Sequence, residues 1–157
     1  MPLTYLQSNL AKMICLIQRV TQGKVEVDQQ VIGEIGTGLV VLTGFQPNDN
    51  METIHKMVHK LLHYRIFADD NDKMNLNIQQ VEGSLLLIPQ FTLAADTQKG
   101  LRPSFSTSAA PDIAHTLFND FIHHTKQTYP LVESGQFGAD MQVSLTNDGP
   151  VTFWLEV

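Results

Sequence analysis

Three histidines, His55, His59 and His63, stand at i, i+4 and i+8, a spacing that puts all three on one face of a helix. Aligned imidazoles could gather a metal ion, but no nearby carboxylate or cysteine completes a coordination set, and their face lies opposite the apolar one. They read as a solvated face, and His115, His123 and His124 on a second helical stretch read the same way. Cys15 falls inside an apolar run with no basic neighbour to lower its pKa, which describes a buried thiol better than a nucleophile. Gly36-Thr37-Gly38 is followed by a strand, whereas a phosphate loop needs the amides of a helix N-terminus, so it is expected to be a turn. Ser104, Ser106 and Ser108 lie in a polar stretch without a nucleophile-elbow pattern. The residues thus offer no metal set, cofactor motif or triad. One stretch resists a bland reading. Asn147-Asp148-Gly149-Pro150 opens the strand-like run Val151 to Val157, although proline removes a ladder donor. It is either an ordinary turn or a rigid backbone feature placed where something binds.

The elements that must hold these residues follow from apolar spacing. "MICLIQRV" reads as a strand, and "KVEV" and "VIGEI" flank polar Asp28-Gln29-Gln30 as a hairpin. "LVVLTGF" and "SLLLIPQFTL" are continuous apolar runs, the pattern of strands buried on both faces. Ile54, Met57, Val58, Leu61, Leu62 and Ile66 recur at helical spacing after a capping-box-like Asp49 and Glu52. A second helix is expected from Pro111, with Ile113, Ala114, Leu117, Phe118, Phe121 and Ile122 as its buried stripe and Tyr129-Pro130 as its end. "MQVSL" and "VTFWLEV" close the chain as two further strands. The expected class is α+β: antiparallel sheets forming a partly closed barrel with two main helices packed on one side.

At 157 residues, 43% hydrophobic and 17% charged, the chain has the composition of one folded globular domain, with residues 13–157 as the fold and residues 1–12 as an extension or remnant. No apolar run approaches the roughly 18 residues of a membrane span. A lone cysteine permits no intrachain disulfide and fits a reducing cytoplasm, the expected location. A net charge of −6 argues against coating nucleic acid, because such binding neutralises many phosphates with Lys and Arg. Only a small nucleic-acid contact is compatible with ten basic residues.

Five segments, "LIQRVTQGKVEV", "GEIGTGLVVLTG", "YRIFADDNDKMNLN", "LLLIPQFTLAADTQKGLRPSFS" and "MQVSLTNDGPVTFWLEV", together resemble the D-aminoacyl-tRNA deacylase family, homodimeric proofreading hydrolases of translation. The likeness runs from Met13 to Val157 and includes two ordered signatures, Gln90-Phe91-Thr92 and Asn147 to Thr152. The first signature departs from the family pattern, which opens with Ser where this chain has Pro89. A proline supplies neither hydroxyl nor N–H, so either the protein is a weakened member or that hydroxyl is dispensable; the intact remainder of both signatures favours the second.

The resemblance implies ester hydrolysis of D-aminoacyl-tRNA, and of glycyl-tRNA mischarged on another tRNA, without a metal or other cofactor. It implies catalysis by Gln90, Phe91 and Thr92, leaning on backbone groups and on the 2′-hydroxyl of the terminal adenosine. Thr92 would orient water, act as nucleophile, or simply be a satisfied strand-end hydroxyl. Gly149 and Pro150 would be joined by a cis peptide and enter the partner's pocket in a homodimer. There their carbonyls would take the substrate's α-amino group and bar L-aminoacyl-tRNA. Arg19 and Met141 match positions that support this pocket, Arg19 through bonds to main-chain oxygens. Lys99 and Arg102 are candidates for tRNA contact, or ordinary loop charges. A non-catalytic nucleic-acid-binding protein and a small barrel for a free amino acid remain the readings from other classes.

Overall fold

The computed structural model describes residues 12–157, so the expected extension at residues 1–12 lies, but for Lys12, outside the described residues. The first strand, β1 (Ile14–Val27), is a single 14-residue strand where the sequence suggested two. It turns through Asp28 and Gln29, both at positive φ (50° and 65°), into β2 (Gln30–Ile35). Two left-handed residues make the tight hairpin whose twist matches that of its strands. β3 (Gly38–Gly44) returns along β1 and leads to helix α1 (Met51–His63).

The cap of α1 lies one residue later than expected. Asn50 Oδ1 accepts from the amides of Glu52 (2.9 Å) and Thr53 (3.2 Å), and Thr53 Oγ1 accepts from the Asn50 amide. Asp49 is instead buried, with Oδ2 accepting from the Gln46 amide at 2.7 Å. A small hairpin, β4 (Phe67–Ala68) and β5 (Met74–Leu76), precedes β6 (Ser84–Pro89). A 3-10 turn (Phe91–Ala94), a long loop, helix α2 (Pro111–Thr128), β7 (Val132–Ser134) and β8 (Gln142–Glu156) complete the chain. Pro111 starts α2, but Ile113 of the expected buried stripe is exposed while Ala114, Leu117, Phe118 and Phe121 are buried.

The main sheet has the order β2-β1-β3-β6-β7, with β8 on the other edge of β1. The expected antiparallel pairing holds for β1 with β2, β3 and β8. It does not hold for β3–β6 or β6–β7, which are parallel. Each parallel step follows a helix, since a parallel pair needs a long crossover that a hairpin cannot supply.

Side chains alternate between two cores. Cys15, Ile17, Leu39, Val41, Leu85 and Leu87 face the helices and pack with Ile54, Met57, Leu61, Phe118 and Phe121. Val20, Val25, Ile35, Val40, Leu86 and Ile88 fill the inside of the curled sheet. β3 and β6 are therefore apolar at nearly every position because both of their faces are covered.

Candidate functional site

The end of β6 is where the fold stops being regular. The Gln90 amide donates to Thr43 O of β3 at 2.7 Å, and the Leu93 amide donates to Gln90 O at 3.2 Å, which starts the 3-10 turn. A Cβ on Gly44 would stand 3.1 Å from both Gln90 O and Leu93 Cβ, so any side chain there would have to push the turn a few tenths of an ångström away from the end of β3. The amides of Phe91 and Thr92 precede the first bond of the turn and have no backbone partner among the described residues. They are the free donors that any helical turn leaves at its N-terminus. Gln90 Nε2 donates to Thr92 Oγ1 beside them.

This end opens into a groove of about 460 Å³ whose walls include Pro89, Gln90, Phe91, Phe137, Met141 and Val143, with Ala114 of α2 at its side. Among the described residues Asp140 is the sole ionisable residue of its lining, and neither a histidine nor a cysteine reaches it. Thr92 follows Phe91 in the turn but lies outside the lining, so the apolar walls include one unbonded amide with a second next to it, which suits a small neutral or anionic oxygen group with no acid–base pair to assist. Pro89 sits in the wall at the last rung of the β3–β6 ladder, opposite Thr43.

The second signature forms no turn between two strands. β8 pairs with β1 along its length with two irregularities: Thr21 is bulged between Asn147 and Thr146, and Asp148 to Val151 stand opposite the single Arg19 and are pushed out as a tip. Side chains brace the tip. Asn147 Nδ2 donates to Thr152 Oγ1 (2.9 Å), and Asn147 Oδ1 accepts from the Val151 amide (3.0 Å). Arg19 Nε donates to Asp148 O (3.1 Å) while its Nη1 donates to Ile66 O (2.8 Å), which ties the tip to the segment leaving α1. The Gly149–Pro150 peptide is cis, and Gly149 has φ +132°. Both residues are exposed, and neither lines the groove of their own chain. Gln90, Phe91 and Met141 thus come together in one place, Arg19, Gly149 and Pro150 in another.

A family model described as D-Tyr-tRNA(Tyr) deacylase matches residues 16–156. The chain belongs to the D-Tyr-tRNA(Tyr) deacylase family. It is 64% identical over 148 residues to the D-aminoacyl-tRNA deacylase of Hydrogenovibrio crunogenus, covering 92% of this chain and 99% of that relative. It is 61% identical over 145 residues to the D-aminoacyl-tRNA deacylase of Haemophilus influenzae, covering 92% of this chain and all of the other. Among solved structures it is similar to a c-Myc DNA unwinding element binding protein, with a TM-score of 0.88 at 35% identity over 92% of this chain and 98% of that one. A probable eukaryotic D-amino acid tRNA deacylase has the same fold, with a TM-score of 0.82 at 20% identity over 93% of this chain and 100% of that chain.

The remaining candidates take bland places in this deacylase-family fold. His55, His59 and His63 are exposed on α1, where His55 stacks on His124 of α2 (ring centroids 4.1 Å apart) and His59 on His63 (4.2 Å). No group of three or more metal-ligating side chains occurs among the described residues. Burial, and then the positive charge of His55 and His123, holds His124 below its ordinary value. Cys15 is fully buried with Sγ 3.7 Å from Thr43 Oγ1, and burial pushes its thiol up to about 12. Burial also pushes Asp49 up to about 6. No helix among the described residues is long and apolar enough to cross a membrane.

Lys99 and Arg102 lie exposed in the loop after the 3-10 turn, and neither forms an ion pair among the described residues. Sequence reasoning missed Phe137, which walls the groove and stacks on His115 with ring centroids 4.8 Å apart. A single aromatic in the glycine-rich "GQFGADM" has no period to announce it.

Proposed function

We propose that this protein hydrolyses the ester of D-aminoacyl-tRNA, releasing free D-amino acid and tRNA, as a proofreading step. The observation that carries this reading is the unbonded amide of Phe91 in the lining of an apolar groove, followed by that of Thr92 just beyond the lining, with no acid–base couple in the groove among the described residues. An aminoacyl ester is already activated, so its hydrolysis needs a positioned water and donors aimed at the developing oxyanion more than a nucleophilic side chain. In this reading the ester carbonyl sits against the two amides. The Gln90–Thr92 hydrogen bond holds the turn and leaves the threonine hydroxyl free to orient water.

The Gly149–Pro150 tip belongs, in the same reading, to the groove of a second copy in a homodimer. What supports this is its separation from its own groove and its side-chain bracing, which a simple turn would not need. Carbonyls of Gly149 and Pro150 then take the α-ammonium group. With the amine and the ester carbonyl both fixed, a D side chain points toward solvent, while an L side chain meets the tip's backbone. Glycine has no side chain to exclude, so glycyl-tRNA is also cleaved. Rejection of L substrates by about 10⁴ needs roughly 5.5 kcal/mol of differential binding in the transition state, which a rigid clash supplies more readily than a missing contact.

Incubation with D-tyrosyl-, L-tyrosyl- and glycyl-tRNA tests this directly. Multiple turnovers on the D and glycyl substrates with almost none on the L substrate are expected; equal cleavage of both tyrosyl enantiomers sinks the gate. A second reading, non-catalytic nucleic-acid binding, is favoured by the likeness to a c-Myc DNA unwinding element binding protein. The net charge of −6 weighs against it, and a protein of that kind releases no amino acid in the same assay.

A further inference from the structure

Two phenylalanines stay in the open beside the groove. Phe91 is 56% exposed and Phe105 is 45% exposed, and their rings meet with centroids 5.3 Å apart and planes tilted by 53°. Nothing in the hydrophobic effect favours leaving such a pair in water, and clustered exposed aromatics mark a surface with a partner. The loop that presents Phe105 is braced. Asp96 and Ser104 exchange two backbone bonds of 2.8 and 2.9 Å, the Ser108 amide donates to Phe105 O at 3.0 Å, and the Ala109 amide donates to Phe45 O at 3.0 Å. Within that brace stand Lys99 and Arg102, and no acidic residue occurs between Thr97 and Ala110. A locally basic loop in a chain of net charge −6 is a departure from its surroundings.

Exposed aromatic faces on a loop that also carries unpaired cations are the chemistry of single-stranded nucleic acid. Bases stack on the rings, and phosphates take the cations. A duplex hides its base faces and would gain nothing from the rings. We propose that Phe91 and Phe105 form a stacking platform, with Lys99 and Arg102 beside it, for the unpaired nucleotides that precede the terminal adenosine of the tRNA. This rests on the functional reading above, since it takes the groove as the place of the aminoacylated 3′ end. Phe91 itself joins the two, because its amide heads the groove while its ring forms the platform. Phe105 acts in this scheme as a positioning residue, touching no reacting atom.

The test uses Phe105→Ala, with Phe105→Tyr as the variant that keeps the ring. In the first measurement, a short uncharged RNA ending in the tRNA 3′ sequence is titrated at low salt and followed by fluorescence anisotropy. Phe105→Ala should weaken binding about tenfold and Phe105→Tyr should restore it. The Lys99→Ala, Arg102→Ala double variant should flatten the log–log salt dependence by roughly 0.7 for each phosphate that is no longer neutralised. In the second, D-tyrosyl-tRNA is compared with the D-tyrosyl ester of adenosine alone. Phe105→Ala should raise KM for the tRNA about tenfold with kcat unchanged and leave the adenosine ester within twofold. Equal losses on both substrates, or RNA binding indifferent to Phe105, overturns the platform. The binding arm needs no turnover, so a wild type that binds the RNA through Phe105 yet cleaves neither ester overturns the deacylase reading and leaves the platform standing.

Discussion

The groove head and the Gly149–Pro150 tip are built by opposite means. At the groove head, contiguous backbone from Pro89 to Leu93 makes the donors, and the local side-chain bond is that from Gln90 to Thr92. At the tip, Arg19, 129 positions away from Asp148, and Asn147 hold the backbone in place with side-chain bonds. Donors that belong to the main chain survive most side-chain changes. A tip held by one arginine and one asparagine does not. If both regions serve one reaction, substitutions should be forgiven at the groove head and punished at the tip.

The sharpest way to break that contrast is Gly149→Ala. A Cβ there would lie 2.7 Å from Val151 Cγ2 and 3.2 Å from Arg19 Nη2, on a residue with φ +132°. The tip must shift, and deacylation of D-tyrosyl-tRNA should fall by about a hundredfold or more, equivalent to ~2.7 kcal/mol of barrier, with little change in melting temperature. Near-normal turnover would remove the tip from the reaction. Arg19→Lys comes next. An ammonium cannot reach Asp148 O and Ile66 O together as the guanidinium does, so a loss of about tenfold to fiftyfold in kcat/KM is expected.

At the groove head, Thr92→Ala and Pro89→Ser should each change turnover by less than about tenfold, because neither touches the Phe91 and Thr92 amides. Complete loss in a folded Thr92→Ala would make the hydroxyl a nucleophile; a thousandfold rise in Pro89→Ser would mark the present chain as a weakened enzyme.

The smallest effect concerns neither region and serves as a control. His124 is held below its ordinary value of 6.5, so the folded state binds its proton less well than the unfolded chain. Its contribution to stability is complete above that value and is lost as pH falls through the lower folded value. Asp49, pushed up to about 6, works in the opposite sense over the same range, so the reading is the difference between two proteins: from about pH 7 to about pH 5 the wild type should lose melting temperature relative to His124→Gln, while D-tyrosyl-tRNA turnover at neutral pH stays untouched. An identical pH dependence in the two proteins would remove His124 from it.

The helices were legible because their burial is one-sided: six of the residues from Ile54 to Ile66 recur at helical spacing, and the structure buries all of them. The direction of β3 relative to β6 was not, because strands covered on both faces carry no alternation and so no hint of their neighbours. β8 read as two strands for a local reason. Gly149-Pro150 does interrupt the ladder, and Asn147 bridges the gap locally, but Arg19 holds the tip through a bond 129 positions long that no window of sequence contains. Ile113 misled because one apolar residue in the first turn of a helix can fall outside the stripe. The groove's near wall, from Pro89 to Phe91, announced itself through its resemblance to a known signature. Its far wall depends on where the chain after β7 happens to pass, and Phe137 there has only tertiary structure to reveal it.

Cys15, the chain's single cysteine, lies where β1 meets both β3 and β8, paired with Thr43 on one side and Leu155 on the other. Only a thiolate attacks an alkylating reagent, and this thiol is both sealed and held far above neutrality. The protein therefore carries its own stopwatch. A thiol reagent added to the native protein can advance only as fast as the central seam of the sheet parts, so the labelling rate reads that opening without any engineered probe. Native activity should also persist in oxidising conditions that silence enzymes dependent on an open cysteine, until the seam itself gives way.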